Sequence, residues 1–109
     1  MTEAVLILST CGSREEADRI AQALVAEGLA ACLQVSAIES WYRWQGRIEH
    51  APEQRLHIKT AAALADKAMA RIAALHSYEV PEMVVVPITG GSADYLAWIA
   101  ASVVPGGVA

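Results

Sequence analysis

The stretch "SWYRWQGRIEH", residues Ser40–His50, sets the connection between the two halves of the chain. Gln45 and Gly46 stand between two runs of strand character, and glycine supplies the positive φ that a tight reversal needs. The stretch therefore predicts a hairpin, in which two strands follow one another with no helix between them. The elements on either side of this hairpin then indicate the fold.

Before the hairpin, the sequence predicts a strand, a helix and a second strand. Residues 4–10, "AVLILST", form an apolar run typical of a central strand that is buried on both faces. Ser13 and Glu16 have the spacing of a capping box, which predicts the start of a helix. Residues 30–38, "AACLQVSAI", return to strand character and lead into the hairpin.

After the hairpin, strand and helix patterns alternate again. Residues 53–60, "EQRLHIKT", alternate apolar and polar side chains, which is the period of a strand with one solvated face. Residues 61–75 carry apolar side chains at helical spacing. Residues 83–89, "MVVVPIT", predict a further strand, in which Pro87 marks an edge position or a bulge, and residues 93–103 predict a short terminal helix.

The resulting order is β-α-β-β-α-β with one further helix. This order predicts an α+β, ferredoxin-like (split βαβ) fold with an extended hairpin and a short C-terminal helix, in which both main helices cover one face of an antiparallel sheet. All 109 residues fit a single domain of ordinary size. A loose tail is expected from about residue 104.

Composition argues against several classes of protein. The net charge of −4 opposes general binding to nucleic-acid phosphates. No apolar run approaches the roughly 20 residues of a membrane span, and the N-terminus does not resemble a signal peptide, so a cytoplasmic protein without a membrane anchor is expected. The chain has no CxxC or HExxH motif, no P-loop and no nucleophile elbow, which predicts a protein that is not an enzyme.

Three side chains could carry chemistry, and each has a structural alternative. Cys32 could be a small buried apolar residue or a thiolate ligand for a soft metal. His76 could bond the terminal carbonyls of its helix or bind a metal ion. Cys11 follows a strand and precedes a helix, whose dipole is expected to lower the pKa of its thiol. Tyr95 and Trp98 lie three apart on the last helix and are expected to pack it down.

An ordered set of short motifs resembles the CutA family of divalent-cation tolerance proteins. The motifs are "AACLQ", "YRWQGRIE", "E-x-x-x-x-IKT", "H-x-Y-x-VPE" and "DYLAW", and the resemblance covers roughly residues 4–98. The resemblance implies a ferredoxin-like homotrimer that binds copper or another divalent metal ion and takes part in the response to metal ions. By position it implies Cys32, His76 and Glu53 as the metal ligands, although Glu53 could instead form an ion pair. The family usually has proline where this chain has Ser77, which predicts a less rigid loop.

The aromatic hairpin predicts a surface for another copy of the chain. Trp41 and Arg43 point to one side, and Tyr42 and Trp44 point to the other. A two-stranded arm cannot bury both faces within so small a domain, so a second protomer is expected to cover one of them.

An alternative function uses clefts between subunits. Tyr78, Glu79 and Glu82 crowd a loop beside His76 and could line such a cleft. By analogy of fold alone, the chain could be a PII-like signalling or scaffold trimer that binds a small metabolite or a partner protein there.

Overall fold

The computed structural model describes residues 3–103, which form a four-stranded antiparallel sheet and three α-helices. The elements are β1 (Ala4–Cys11), α1 (Arg14–Ala26), β2 (Cys32–Trp44), β3 (Arg47–Ala61), α2 (Ala65–Leu75), β4 (Val84–Pro87) and α3 (Ala93–Ser102), with a 3₁₀ turn (Ala62–Leu64) before α2. The predicted ferredoxin-like order is confirmed. The tail predicted from about residue 104 lies outside the described residues. Within residues 3–103, no helix has the length and apolar character to cross a bilayer.

The sheet has the strand order β2-β3-β1-β4, so β1 is central, as predicted. Its predicted burial on both faces is wrong. Val5 and Ile7 are buried, whereas Leu6 and Leu8 are only half-buried. The reason is that α1 and α2 cover one face only, and the shorter α3 lies against part of the other face.

The core lies between the covered face of the sheet and the two main helices. Ile7 of β1 and Ile58 of β3 stand opposite each other and are fully buried. Ile20 of α1 and Ile72 of α2 pack into the same cluster. Each such side chain contributes about 1.5–3 kcal/mol when it is removed from water.

The predicted capping box forms only in part. The Ser13 hydroxyl oxygen accepts a hydrogen bond from the N–H of Glu16 at 3.1 Å and so caps α1. The Glu16 carboxylate does not return a bond to Ser13. It accepts instead from the N–H and the hydroxyl of Ser77, at 2.7 and 3.0 Å. A residue expected to cap its own helix therefore anchors a distant loop.

The hairpin arm, residues 38–53, extends beyond the end of β1. Strand β1 ends opposite Gln54 of β3, but β2 and β3 continue to pair as far as Trp44 and Arg47. Gln45 and Gly46 form the turn with φ angles of 52° and 78°, the left-handed pair of a tight hairpin. The predicted hairpin is confirmed, and its aromatic side chains are exposed in the single chain.

Helix α3 is held in a way that the sequence did not predict. Tyr95 and Trp98 stack on each other with ring centroids 5.6 Å apart, yet they remain 40% and 45% exposed. Ile99, the next residue, is the buried one. The buried anchor of the helix is therefore Ile99, while Tyr95 contacts Cys32 and Lys59 of the sheet from a position that stays partly exposed.

Candidate functional site

The three predicted metal ligands lie in two separate places of the chain. Cys32 is the first residue of β2 and pairs with Lys59 of β3. Glu53 of β3 pairs with Ile38, which lies six residues further along β2. At about 3.4 Å per residue, the distance along β2 between these two places is about 20 Å. Among the described residues, no three His, Cys, Asp or Glu side chains group closely enough to hold a metal ion. A site that uses Cys32, His76 and Glu53 together would need residues from more than one subunit.

Cys32 lies on the sheet face that α3 partly covers. Its Sγ is 3.4 Å from the Tyr95 hydroxyl oxygen and 3.9 Å from Nε2 of Gln34. The Gln34 amide oxygen accepts from Lys59 Nζ at 2.9 Å, and this ammonium group is 5.7 Å from the centroid of the Tyr95 ring. The thiol is free and half-buried. It is therefore accessible, and its neighbours are polar.

The Tyr95 hydroxyl is the nearest oxygen donor to Cys32. Its hydrogen bond with the cysteine sulfur raises the pKa of Tyr95 above the ordinary value. The phenol therefore keeps its proton at neutral pH and is a neutral neighbour of the thiol.

The side chain of His76 is buried, and both of its ring nitrogens form hydrogen bonds. Its Nε2 is 2.6 Å from the carbonyl oxygen of Thr10, to which it can only donate, and its Nδ1 accepts from the N–H of Tyr78 at 3.0 Å. The side chain has no exposed surface. The predicted bond from His76 to the terminal carbonyls of α2 is therefore wrong, because the carbonyl that it contacts belongs to Thr10 of β1. To bind a metal ion, His76 would have to give up one of these two hydrogen bonds.

Ser77, the departure from the family motif, fixes the loop at this point. Its N–H and hydroxyl both donate to Glu16, and Glu16 Oε2 is also 3.6 Å from Nδ1 of His76. Proline would supply neither donor. The expected loss of rigidity is therefore offset by a contact that proline cannot make. Sequence reasoning missed this role of Glu16, because only its helix-capping spacing was visible.

Tyr78 and Glu53 form the next contact along the loop. The Tyr78 hydroxyl donates to Oε2 of Glu53 at 2.7 Å, and Glu53 is only 8% exposed. Burial and the hydrogen bond to this carboxylate raise the pKa of Tyr78 well above its ordinary value. Within residues 3–103, Glu53 has no cationic partner, so the expected ion pair is replaced by a bond to a phenol.

A cleft of about 870 Å³ lies between the hairpin arm and the loop after α2. Tyr78, Glu79 and Glu82, the residues predicted for a cleft, line one side of it. Aromatic residues of the arm line the other side: Trp41, Tyr42 and Trp44. Whether this cleft lies at a subunit boundary stays a prediction.

Cys11 is fully buried and bonded within the chain. Its Sγ donates to the carbonyl oxygen of Ser13 at 3.5 Å. Burial raises the pKa of the Cys11 thiol, contrary to the expected lowering by the helix dipole. Desolvation disfavours the thiolate, and the thiol is enclosed in the core, so Cys11 is a poor nucleophile and a poor ligand.

The sheet, the helices on one face and the projecting arm define a ferredoxin-like α+β protein with one accessible thiol and one aromatic, acidic cleft. The sequence model of one protein family, the CutA1 divalent ion tolerance protein family, matches residues 5–102. The chain therefore belongs to this family.

Relatives and solved structures agree with this assignment. The divalent-cation tolerance protein CutA of Thermus thermophilus is 46% identical over 100 residues, which cover 91% of this chain and 95% of the relative. The chloroplastic CutA protein of Arabidopsis thaliana is 40% identical over 96 residues, 87% of this chain, and the chain spans only 53% of that relative's length. The structure of the periplasmic divalent cation tolerance protein CutA from Archaeoglobus fulgidus has a TM-score of 0.89 at 35% identity, covering 91% of this chain and 97% of the other.

The two thiols should differ strongly in reactivity. We expect a disulfide reagent to label Cys32 in the native protein at least about tenfold faster than Cys11, because Cys11 is buried and its thiolate is disfavoured. In denaturant both thiols should react at the same fast rate. Cys32→Ser should abolish the fast phase, and a fast phase that survives this substitution would contradict the assignment.

Tyr78 should make the free energy of unfolding sensitive to alkaline pH. Its pKa is higher in the folded than in the unfolded state, so its contribution is complete below about pH 10, the ordinary tyrosine value, and is lost as the pH rises further. The free energy of unfolding of the wild type and of Tyr78→Phe is measured in urea between pH 8 and about pH 11. The difference between the two proteins should shrink above about pH 10. Tyr42→Phe, at a residue that is 43% exposed, is the comparison, and it should change the pH dependence only slightly, because Tyr42 is a minor cause of the raised pKa of Tyr78. An advantage of constant size would contradict the prediction.

Proposed function

We propose that the chain is a cytoplasmic homotrimer that binds copper or another divalent metal ion, contributes to metal tolerance and catalyses no reaction. Membership of the divalent ion tolerance family supports the role in metal tolerance. The observation that carries the metal-binding part is the accessible Cys32 thiol. A thiolate is a soft ligand, which favours copper over magnesium or calcium.

The donor set around Cys32 fits a metal ion only in part. One chain offers the thiol, the Tyr95 hydroxyl and the Gln34 amide, and of these only the thiolate is a strong ligand for copper. Further donors would come from a second subunit, and His76 and Glu53 are the predicted residues. Binding would displace the thiol proton, as it does in other thiolate sites.

Two exposed sheet edges support assembly into a closed ring of subunits. Strands β2 and β4 are the edges of the sheet, and each leaves backbone N–H and C=O groups unpaired on its outer side. The outer strand β4 also exposes Val84, Val85 and Val86. Pairing β2 of one copy with β4 of the next would cover both edges, and such a head-to-tail contact closes when the rotation permits. The number of three subunits comes from the family resemblance.

A second candidate function is supported by the cleft. A PII-like signalling or scaffold trimer would bind a small metabolite or a partner protein there, with any affinity for metal incidental. The cleft of about 870 Å³ is of the size that holds small-molecule ligands.

Replacing Cys32 should remove most of the copper affinity. We expect Cys32→Ser to weaken Cu(I) binding by about 100-fold or more in a chelator competition assay, because it removes the soft ligand. Cys11→Ala is the matched control and should bind as the wild type does. Sub-micromolar copper binding that survives Cys32→Ser would refute the proposed site.

Replacing Trp44 should weaken the assembly of subunits while leaving the Cys32 thiol of each chain in place. Trp44 contributes an exposed ring to the arm, and aromatic residues dominate interface energies. Light scattering over a dilution series should show Trp44→Ala dissociating at higher concentration than the wild type. Trp98→Ala, equally exposed but on α3, is the control. A wild type that is monomeric at micromolar concentration would contradict the assembly.

A further inference from the structure

We propose that the sheet face opposite α1 and α2 binds a small oxyanion, of the carboxylate or phosphate class, at a row of basic side chains on β3. The row consists of Arg55, His57 and Lys59. The inference goes beyond the proposed function, because neither the predicted metal ligands nor the second candidate function gives this row a role. The row meets the cleft only at Arg55.

The alternation of side chains along β3 places the three basic residues on one face of the sheet. Leu56 and Ile58, which stand between them, are fully buried in the core under α1 and α2. The basic residues therefore point to the opposite face, where they are half-buried and where α3 covers only a part. Neighbouring members of the row leave the strand about 7 Å apart. One small anion can thus contact two of them, while the third adds to the positive potential.

Arg55 supplies the observation that calls for an acceptor. Its Nε is buried and has no hydrogen-bond partner within residues 3–103. Its guanidinium group also forms no ion pair with a carboxylate of those residues. A buried donor without an acceptor is unfavourable, and the parallel N–H groups of arginine match two oxygens of a carboxylate or a phosphate. Since the side chain is only half-buried, a rotation near its end brings Nε to such a ligand.

The cross-strand neighbours of the row carry no negative charge. They are Ser36, Gln34 and Cys32 in β2, and Thr10, Leu8 and Leu6 in β1. Side chains that stand opposite each other in register share a face of the sheet, so none of these neighbours repels an anion. Ser36, which pairs with Arg55, is exposed, and its hydroxyl can donate to an oxyanion there.

The carboxylates of the cleft lie toward the other end of the row. Four glutamates line the cleft, and one of them, Glu53, lies two residues before Arg55 on β3. The Oε2 of Glu53 already accepts from Tyr78 at 2.7 Å. His57 and Lys59 follow Arg55 in the opposite direction and do not line the cleft. The anion is therefore expected between Arg55 and His57, on the side away from these glutamates.

Calorimetry with three sodium salts tests the proposal: phosphate, acetate and chloride at matched ionic strength. Each salt is titrated into the full chain in the assembly that it forms in solution. We expect phosphate or acetate to bind at least about tenfold more tightly than chloride, because only an oxyanion offers two acceptors to the guanidinium group. The tighter of the two then tells whether the site suits a phosphate or a carboxylate, and either result supports the proposal.

Arg55→Gln is the decisive variant, because it removes both the charge and the parallel donors. It should weaken oxyanion binding by about tenfold or more. Arg55→Lys keeps the charge without the paired donors and should recover only part of the affinity. Arg19→Gln, on the exposed side of α1, is the charge-matched control and should bind as the wild type does. Thermal unfolding and light scattering confirm whether each variant is folded and assembled.

The outcomes that contradict the inference are distinct. Oxyanions that bind no more tightly than chloride would overturn the site. Oxyanion binding that is unchanged in Arg55→Gln would overturn the role of Arg55. Absence of oxyanion binding together with a dissociated Arg55→Gln variant would assign the acceptor to a second subunit and would also overturn the proposal. Copper binding is scored separately, so none of these results decides the metal-binding function.

Discussion

The difference in length between β1 and its neighbours shapes most of this molecule. Strand β1 has 8 residues, whereas β2 has 13 and β3 has 15. Beyond the end of β1, the two longer strands have no third strand beside them, so they project as an arm. At that same end the chain leaves the sheet at Gly12, where an added Cβ would lie 3.2 Å from the Tyr78 hydroxyl. The corner between the arm and the loop is the cleft.

The polar groups at this corner form a connected set that draws on four separate segments. Thr10 lies near the end of β1, Glu16 lies in the first turn of α1, the segment 76–78 follows α2, and Glu53 belongs to the arm. In a low-dielectric setting such bonds strengthen one another, and each unmet group is costly. The serine in place of the usual proline is understandable in this setting, because its two donors satisfy a buried carboxylate. The two cysteines differ in the same way, since Cys11 is buried in the core near this corner and Cys32 lies at the other end of β2.

Sequence reasoning reached the element order, the central β1, the edge position of Pro87 and the hairpin turn, because each depends on local period or turn chemistry. It failed where a contact joins distant segments. Ser77 and Glu16 are 61 positions apart, and His76 and Thr10 are 66 apart, so no local pattern reports them. The one-sided burial of β1 arises because α1 and α2 cover only one face of the sheet. An apolar run in the sequence does not show how many faces of its strand will be covered. The separation of Cys32 from Glu53 follows from strand register, which motif spacing does not contain.

The short edge strand β4 bears on how the chain avoids aggregation. Val84, Val85 and Val86 form an exposed β-branched run of the kind that templates cross-β stacking. Pro87 ends that strand after 4 residues and offers no N–H to an incoming chain. The exposed edge is therefore short, and a run of only 4 residues that ends in proline is a poor template for cross-β stacking. Proline at the end of an apolar strand is one of the residues that limit aggregation in this way.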